Sequence, residues 1–198
     1  KIDKICGDAV ITNEPQTAIQ NTSTIGEISG GTISSGGRAI YNSSWKDGAE
    51  EYIGTITIKD GAVIKGGINN TNWGGSSNTV TQFAKTTIEG GKISGSLTDD
   101  GLSASGCQIV ISGGYFTANP TSYLVSGKDA VASNQDGYQY MVGTLALSQQ
   151  TLALTKGGEA VLSVNAEPWG AVPASAVSWS SDNEAVAAVD NGTVTAAA

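Results

Sequence analysis

The residues able to do chemistry in this chain are few, and most of them are aromatic or acidic. Trp45 and Trp73 sit in the phrases SSWKDGAEEY and TNWGGSSNTVTQ, with Tyr41 and Tyr52 close by in the chain. A flat apolar ring beside amides and hydroxyls matches what the face and edge of a sugar offer. These four side chains are the candidate ligand-binding strip, with a glycan as its partner; the competing reading is that each indole packs its own loop onto the body. The acids are Asp60, Glu89, Asp99 and Asp100, with Glu50 and Glu51 beside Trp45. Glycoside hydrolysis needs two carboxyl groups roughly 5–10 Å apart. A lyase needs carboxylates around Ca²⁺ and a base to take the proton. Asp60 precedes a glycine, as does the pair Asp99-Asp100, so both places read first as turns. Histidine is absent and Arg38 is the only arginine. Proton carriers and anion clamps are therefore scarce, and the expectation is no catalytic residue, no cofactor and no metal.

What must position these residues is a repeat. Ile28-Ser29-Gly30-Gly31-Thr32-Ile33-Ser34, Ile58-Lys59-Asp60-Gly61-Ala62-Val63-Ile64, Ile88-Glu89-Gly90-Gly91-Lys92-Ile93-Ser94 and Ile111-Ser112-Gly113-Gly114-Tyr115-Phe116-Thr117 are versions of one phrase, and Ile5 to Ile11 is a weaker one. The lead isoleucines are 23, 30, 30 and 23 residues apart. That period points to stacked coils, each with short strands meeting at glycine corners. A second phrase, an apolar residue followed closely by asparagine, recurs at Ile19-Gln20-Asn21, Ile40-Tyr41-Asn42 and Ile68-Asn69-Asn70. Stacked at one corner, these asparagines would form an amide ladder. The longer steps hold seven extra residues, assigned to loops at 43–52 and 71–82 that carry Trp45 and Trp73 at equivalent places. Glu89 and Lys59 occupy the same slot in neighbouring repeats, which predicts a surface pair. After Thr117 the phrase breaks down, and strands around Gln135-Asp136-Gly137 are placed to close the stack.

Composition agrees with an all-β chain. Of 198 residues, 27 are glycine and only 14% are charged, with a net charge of −8. The acidic balance argues against nucleic acid or an anionic membrane surface as partner. No apolar run reaches the 18 residues of a membrane span. Cys6 and Cys107 lie four repeat steps apart. At strand spacing this is on the order of 19 Å, too far for a disulfide, so two separate buried thiols are expected. The abrupt ends suggest a piece of a longer protein.

From Gly143 the pattern changes to alternating strands: 145–147, 151–154, 160–164, 177–181, 186–189 and 193–195, with Asp190-Asn191-Gly192 as a hairpin turn and Trp179 as a core anchor. The phrases LSQQTLALTKGGEAVLSV, AVSWSSDNEAVAAVD and NGTVTAAA resemble the bacterial immunoglobulin-like domain, group 2. The family continues beyond this point, so a sandwich ending at Ala198 would lack its last strand. Residues 1–142, through GGTISSGGRAIYN and ISGGYFTANPTSYLVSGKDAVASNQDGYQYMVG, resemble the repeat region of bacterial surface proteins with a pectin-lyase-like right-handed parallel β-helix. The resemblances imply a parallel β-helix of about five coils over 1–142 and a truncated Ig-like β-sandwich over 143–198. They also imply an exported or cell-wall-associated protein, such as an adhesin. Together with the aromatic residues and the scarcity of proton carriers, the expectation is a non-enzymatic protein acting in adhesion or in contact with a glycan or a host surface. A spacer in a larger surface protein is one alternative, and a polysaccharide lyase or hydrolase is the other.

Overall fold

A computed structural model of the chain describes residues 1–73, 80–99 and 108–197. The expected thiol pair cannot be followed across it, because Cys107 lies outside the described residues, as does Asp100.

The chain is all-β with large parallel sheets. The strands Ile2–Ile5, Thr24–Ile28, Thr55–Ile58, Lys85–Ile88 and Gln108–Ile111 form one parallel sheet in chain order. Ile5, Ile28, Ile58, Ile88 and Ile111 are register partners in succession. The last four of these are fully buried. A second column follows the glycine corners: Ile11, Ile33, Ile64, Ile93 and Phe116. A third runs Ile19, Ile40, Ile68 and Leu97. All three columns face one continuous apolar core. Each buried isoleucine contributes roughly 1.5–3 kcal/mol by leaving water, and repetition of one phrase is enough to align them.

Both corner residues let the neighbouring repeat approach: a Cβ on Gly90 would stand 2.6 Å from the backbone nitrogen of Asp60, and one on Gly91 would stand 2.9 Å from the Ala62 carbonyl oxygen. The second glycine in addition takes a left-handed conformation, as at Gly91, where φ is +88°. Asp60 itself fills the first position of its own corner, where its carboxylate accepts the Gly61 amide at 2.9 Å.

The slot after each lead isoleucine points outward, since strand side chains alternate. Cys6 shares that slot with Ser29, Lys59, Glu89 and Ser112, and it is exposed rather than buried. The same slot corrects the expected Lys59–Glu89 pair. Lys59 bonds Glu27 at 3.1 Å instead, and Lys4 reaches the other oxygen of that carboxylate. Glu27 lies one residue before its lead isoleucine, where the register between Thr24–Ile28 and Thr55–Ile58 shifts and brings it within reach.

Antiparallel strands close the stack. Tyr140–Leu147 pairs with Gly114–Phe116 and Asp129–Ala132, covering the last parallel edge as expected. The same strand runs on through residue 143 to pair with Val164–Glu167. The grammar change at 142/143 thus falls inside one continuous strand. Beyond it, Glu159–Val161, Thr193–Ala196 and Ala187–Asp190 make a small antiparallel sheet. The predicted turn is there, with Asn191 and Gly192 at φ +46° and +84° between Asp190 and its partner Thr193. Residues 151–154 and 177–181 are not strands, and Trp179 is only half-buried. It lies over Gly192 and beside an open groove of about 420 Å³ lined in part by Leu147, Leu162 and Val194. The segment around Trp179 therefore packs without a sheet partner.

Candidate functional site

The 43–52 segment is a β-hairpin rather than a loop. The strand Thr32–Asp47 continues past the asparagine corner, turns at Gly48, and returns as Glu50–Ile53. Trp45 and Tyr52 are directly opposed, and their rings stack with centroids 4.7 Å apart and planes 15° from parallel. On its other side Thr32–Asp47 runs parallel to Val63–Trp73, with Trp73 the register partner of Trp45. The two tryptophans thus occupy equivalent places, as the repeat period predicted, but at strand ends. The side chain of Trp73 lies outside the described residues.

The hairpin is tied down at its edge. The Glu51 carboxylate accepts the Thr81 amide at 3.0 and 2.9 Å and the Thr81 hydroxyl at 2.9 Å. Lys46 stands 3.7 Å from the same group. The Thr81 amide bond, more than the nearby lysine, holds the carboxyl below its usual range.

The expected amide ladder runs through the same strands. The Asn21 side-chain amide donates to the Asn42 side-chain oxygen at 2.8 Å, and that of Asn42 to the Asn70 oxygen at 3.3 Å. The Thr86 hydroxyl also donates to the Asn70 oxygen, at 2.7 Å. Asn42 further donates to the backbone carbonyls of Gly54 and Lys85, both at 3.1 Å, across the chain's return to the next lead strand. Asp99 holds the following register position, and its carboxylate accepts the Ile109 amide at 3.0 Å.

With Ile40 and Asn42 inward, alternation sets Tyr41, Ser43 and Trp45 on the opposite face. Across that face Tyr41 neighbours Gln20 and Asn69, and Ser43 neighbours Thr71. Gln20, Thr22, Ser43 and Trp45 line a shallow cavity of about 280 Å³. The shelf is therefore Trp45 with Tyr52. Tyr41 departs from the expected strip: it is only 8% exposed, with the Arg38 guanidinium 4.5 Å above its ring.

No family model, curated protein or solved structure matches this chain.

The carboxylates divide by location. Glu50 and Glu51 belong to the hairpin, while Asp60 and Glu89 share a second cleft of about 550 Å³ with Ser29, Lys59, Pro168 and Trp169. Asp60 and Asp99 are engaged with backbone amides; Asp60 does so at its corner, as its turn position suggested, whereas Asp99 ends the strand Leu97–Asp99 instead of sitting in the expected turn. Among the described residues no three acids or cysteines gather closely enough to hold a metal ion, and no helix is long and apolar enough to cross a membrane.

Trp169 is the feature that sequence reasoning missed. Its ring lies over the corner glycines: a Cβ on Gly90 or Gly113 would come within 2.9 or 2.8 Å of the indole. It meets Tyr115 edge-on at 5.5 Å, and the Tyr115 hydroxyl donates to the Trp169 carbonyl at 3.1 Å. Burial raises the Tyr115 pKa further above neutral, where a phenol is a donor in any case. The available signal was the Gly-Gly phrase itself, whose first glycines leave a bare surface for a ring.

Proposed function

We propose that this chain is an extracellular, non-enzymatic surface module that contacts carbohydrate through the Trp45–Tyr52 shelf. The observation that carries the proposal is the stacked aromatic pair, displayed on a pinned hairpin beside an open cavity edged by Gln20, Thr22 and Ser43. Aromatic faces take the apolar side of a sugar ring, and amide and hydroxyl groups take its edge. We read the parallel in-register columns as a right-handed parallel β-helix of about five coils, and the strands after residue 143 as an incomplete Ig-like sandwich. Export to the cell surface or wall follows from that reading. A glycan array tests it. The chain binds a subset of immobilised glycans and Trp45→Ala abolishes the signal; an array without any binding, or binding that survives Trp45→Ala, refutes the assignment.

One observation favours a second reading, a spacer in a larger surface protein. Trp169 and Tyr115 fasten the C-terminal strands to the stack, as a rigid stalk requires. A blank array together with a stiff, elongated particle in small-angle scattering supports the spacer.

A further inference from the structure

The single guanidinium of the chain stands at one end of a trough that has Trp45 at the other. Gln20 lines the 280 Å³ cavity beside Trp45 and also a second cavity of about 520 Å³, which Gln16 and Arg38 line as well. The two cavities therefore adjoin, along the outer face of Thr32–Asp47. From Arg38 to Trp45, at about 3.3 Å per residue, the ends are roughly 20 Å apart, a span suited to several linked sugars rather than one.

The two ends differ in chemistry. The Trp45 end presents stacked rings and hydroxyls. At the other, the Arg38 guanidinium is backed by the Tyr41 ring, which limits the conformations it explores. Among the described residues no carboxylate forms an ion pair with Arg38. Glu14, the acid on the adjacent turn, holds its carboxylate over Gly36. In a chain of net charge −8, an arginine beside glutamine amides, with no ion pair among the described residues, is a local site for an anion. Its planar fork suits a carboxylate, which accepts two parallel N–H bonds from it.

We propose that the trough binds an oligosaccharide carrying a carboxylate. The acidic sugar sits on Arg38 with the Gln16 and Gln20 amides at its hydroxyls, and a neutral sugar further along the chain packs against Trp45, whose ring Tyr52 backs from the other side. This deepens the carbohydrate reading and depends on it.

Calorimetric titration of the whole chain with three ligands provides the test: a glucuronic-acid-terminated oligosaccharide, its methyl ester, and the glucose-terminated counterpart. The acidic ligand binds at least tenfold more tightly than the other two, and Arg38→Gln removes that preference. Arg38→Lys restores only part of it, since the fork is lost and the charge kept. Thermal melts of both variants verify the fold. Equal affinity for all three ligands, or a preference that survives Arg38→Gln, overturns the acidic-sugar assignment and leaves the shelf a neutral-glycan site. Binding of none of the three, with a blank array, overturns the carbohydrate reading itself.

Discussion

Asn42 is a heavily committed polar side chain among the described residues. It is fully buried, accepts from Asn21, and donates towards Asn70 and two backbone carbonyls. Asn42→Leu keeps the volume but removes the ladder bonds to Asn21, Asn70 and two carbonyls; the Asn21 amide keeps the Ser23 carbonyl and the Gly54 carbonyl keeps the Lys85 amide, so each lost bond costs about 0.5–1.5 kcal/mol. Urea denaturation should show a loss of at least about 2 kcal/mol, and a loss too small to resolve would refute the structural role of the ladder. Glu27 makes a prediction in pH. Hydrogen bonds from Lys4, Lys59 and Ser29 lower its pKa to about 2. A carboxylate depressed in the folded state contributes stability above its unfolded value, near 4.5, and loses it as pH falls towards 2. The gap in urea midpoint between the native chain and Glu27→Gln should therefore be widest at pH 6 and shrink steadily below pH 4.5. A gap independent of pH would show that the ion pairs contribute nothing; the group is partly exposed, so the effect is modest.

The hairpin and the corners are the elements on which the site depends. Glu51 ties the returning strand to Thr81. Glu51→Ala should speed hydrogen exchange over residues 44–53 and weaken glycan binding, while exchange in the isoleucine strands stays slow. Unchanged exchange across the hairpin would mean that it holds its shape without this tie. Both corner glycines resist a side chain. Gly91→Ala strains a left-handed residue and also sets a methyl 2.9 Å from the Ala62 carbonyl oxygen, at a cost of roughly 1–3 kcal/mol. Gly90→Ala drives a methyl into the neighbouring repeat and the Trp169 ring, at roughly 1–3 kcal/mol, and should lose part of that cost when combined with Trp169→Ala. Purely additive losses would remove the coupling. The corners and columns were legible in the sequence because residue type repeats there with the period of the structure. The hairpin was not: Ser43–Tyr52 is polar, carries no strong alternation, and becomes a strand pair only because Thr32–Asp47 is already held in a sheet.

At the scale of the whole molecule, the continuous strand Tyr140–Leu147 and the Trp169–Tyr115 contact make the C-terminal strands an extension of the stack. Met141, Ala166 and Val172 form a second core beneath them, against which Trp169 and Tyr115 pack. Trp169→Ala should destabilise the chain by about 2 kcal/mol, less than a fully buried indole would cost, and should open residues 164–172 to proteolysis before the lead strands. Simultaneous cleavage in both regions would show that the junction does not unfold separately.

The sequence by itself determined the three apolar columns, the glycine corners, the amide ladder and the antiparallel closure after Thr117. Each rests on residue types recurring at one interval, and alternation then decides which side faces inward. Only the tertiary structure decided that Trp45 stacks on Tyr52, that Tyr41 is covered by Arg38, that Lys59 chooses Glu27, and that Trp169 rests on Gly90 and Gly113. These contacts join segments with no shared period, and their partners are selected by distance across a folded surface, which no spacing along the chain encodes.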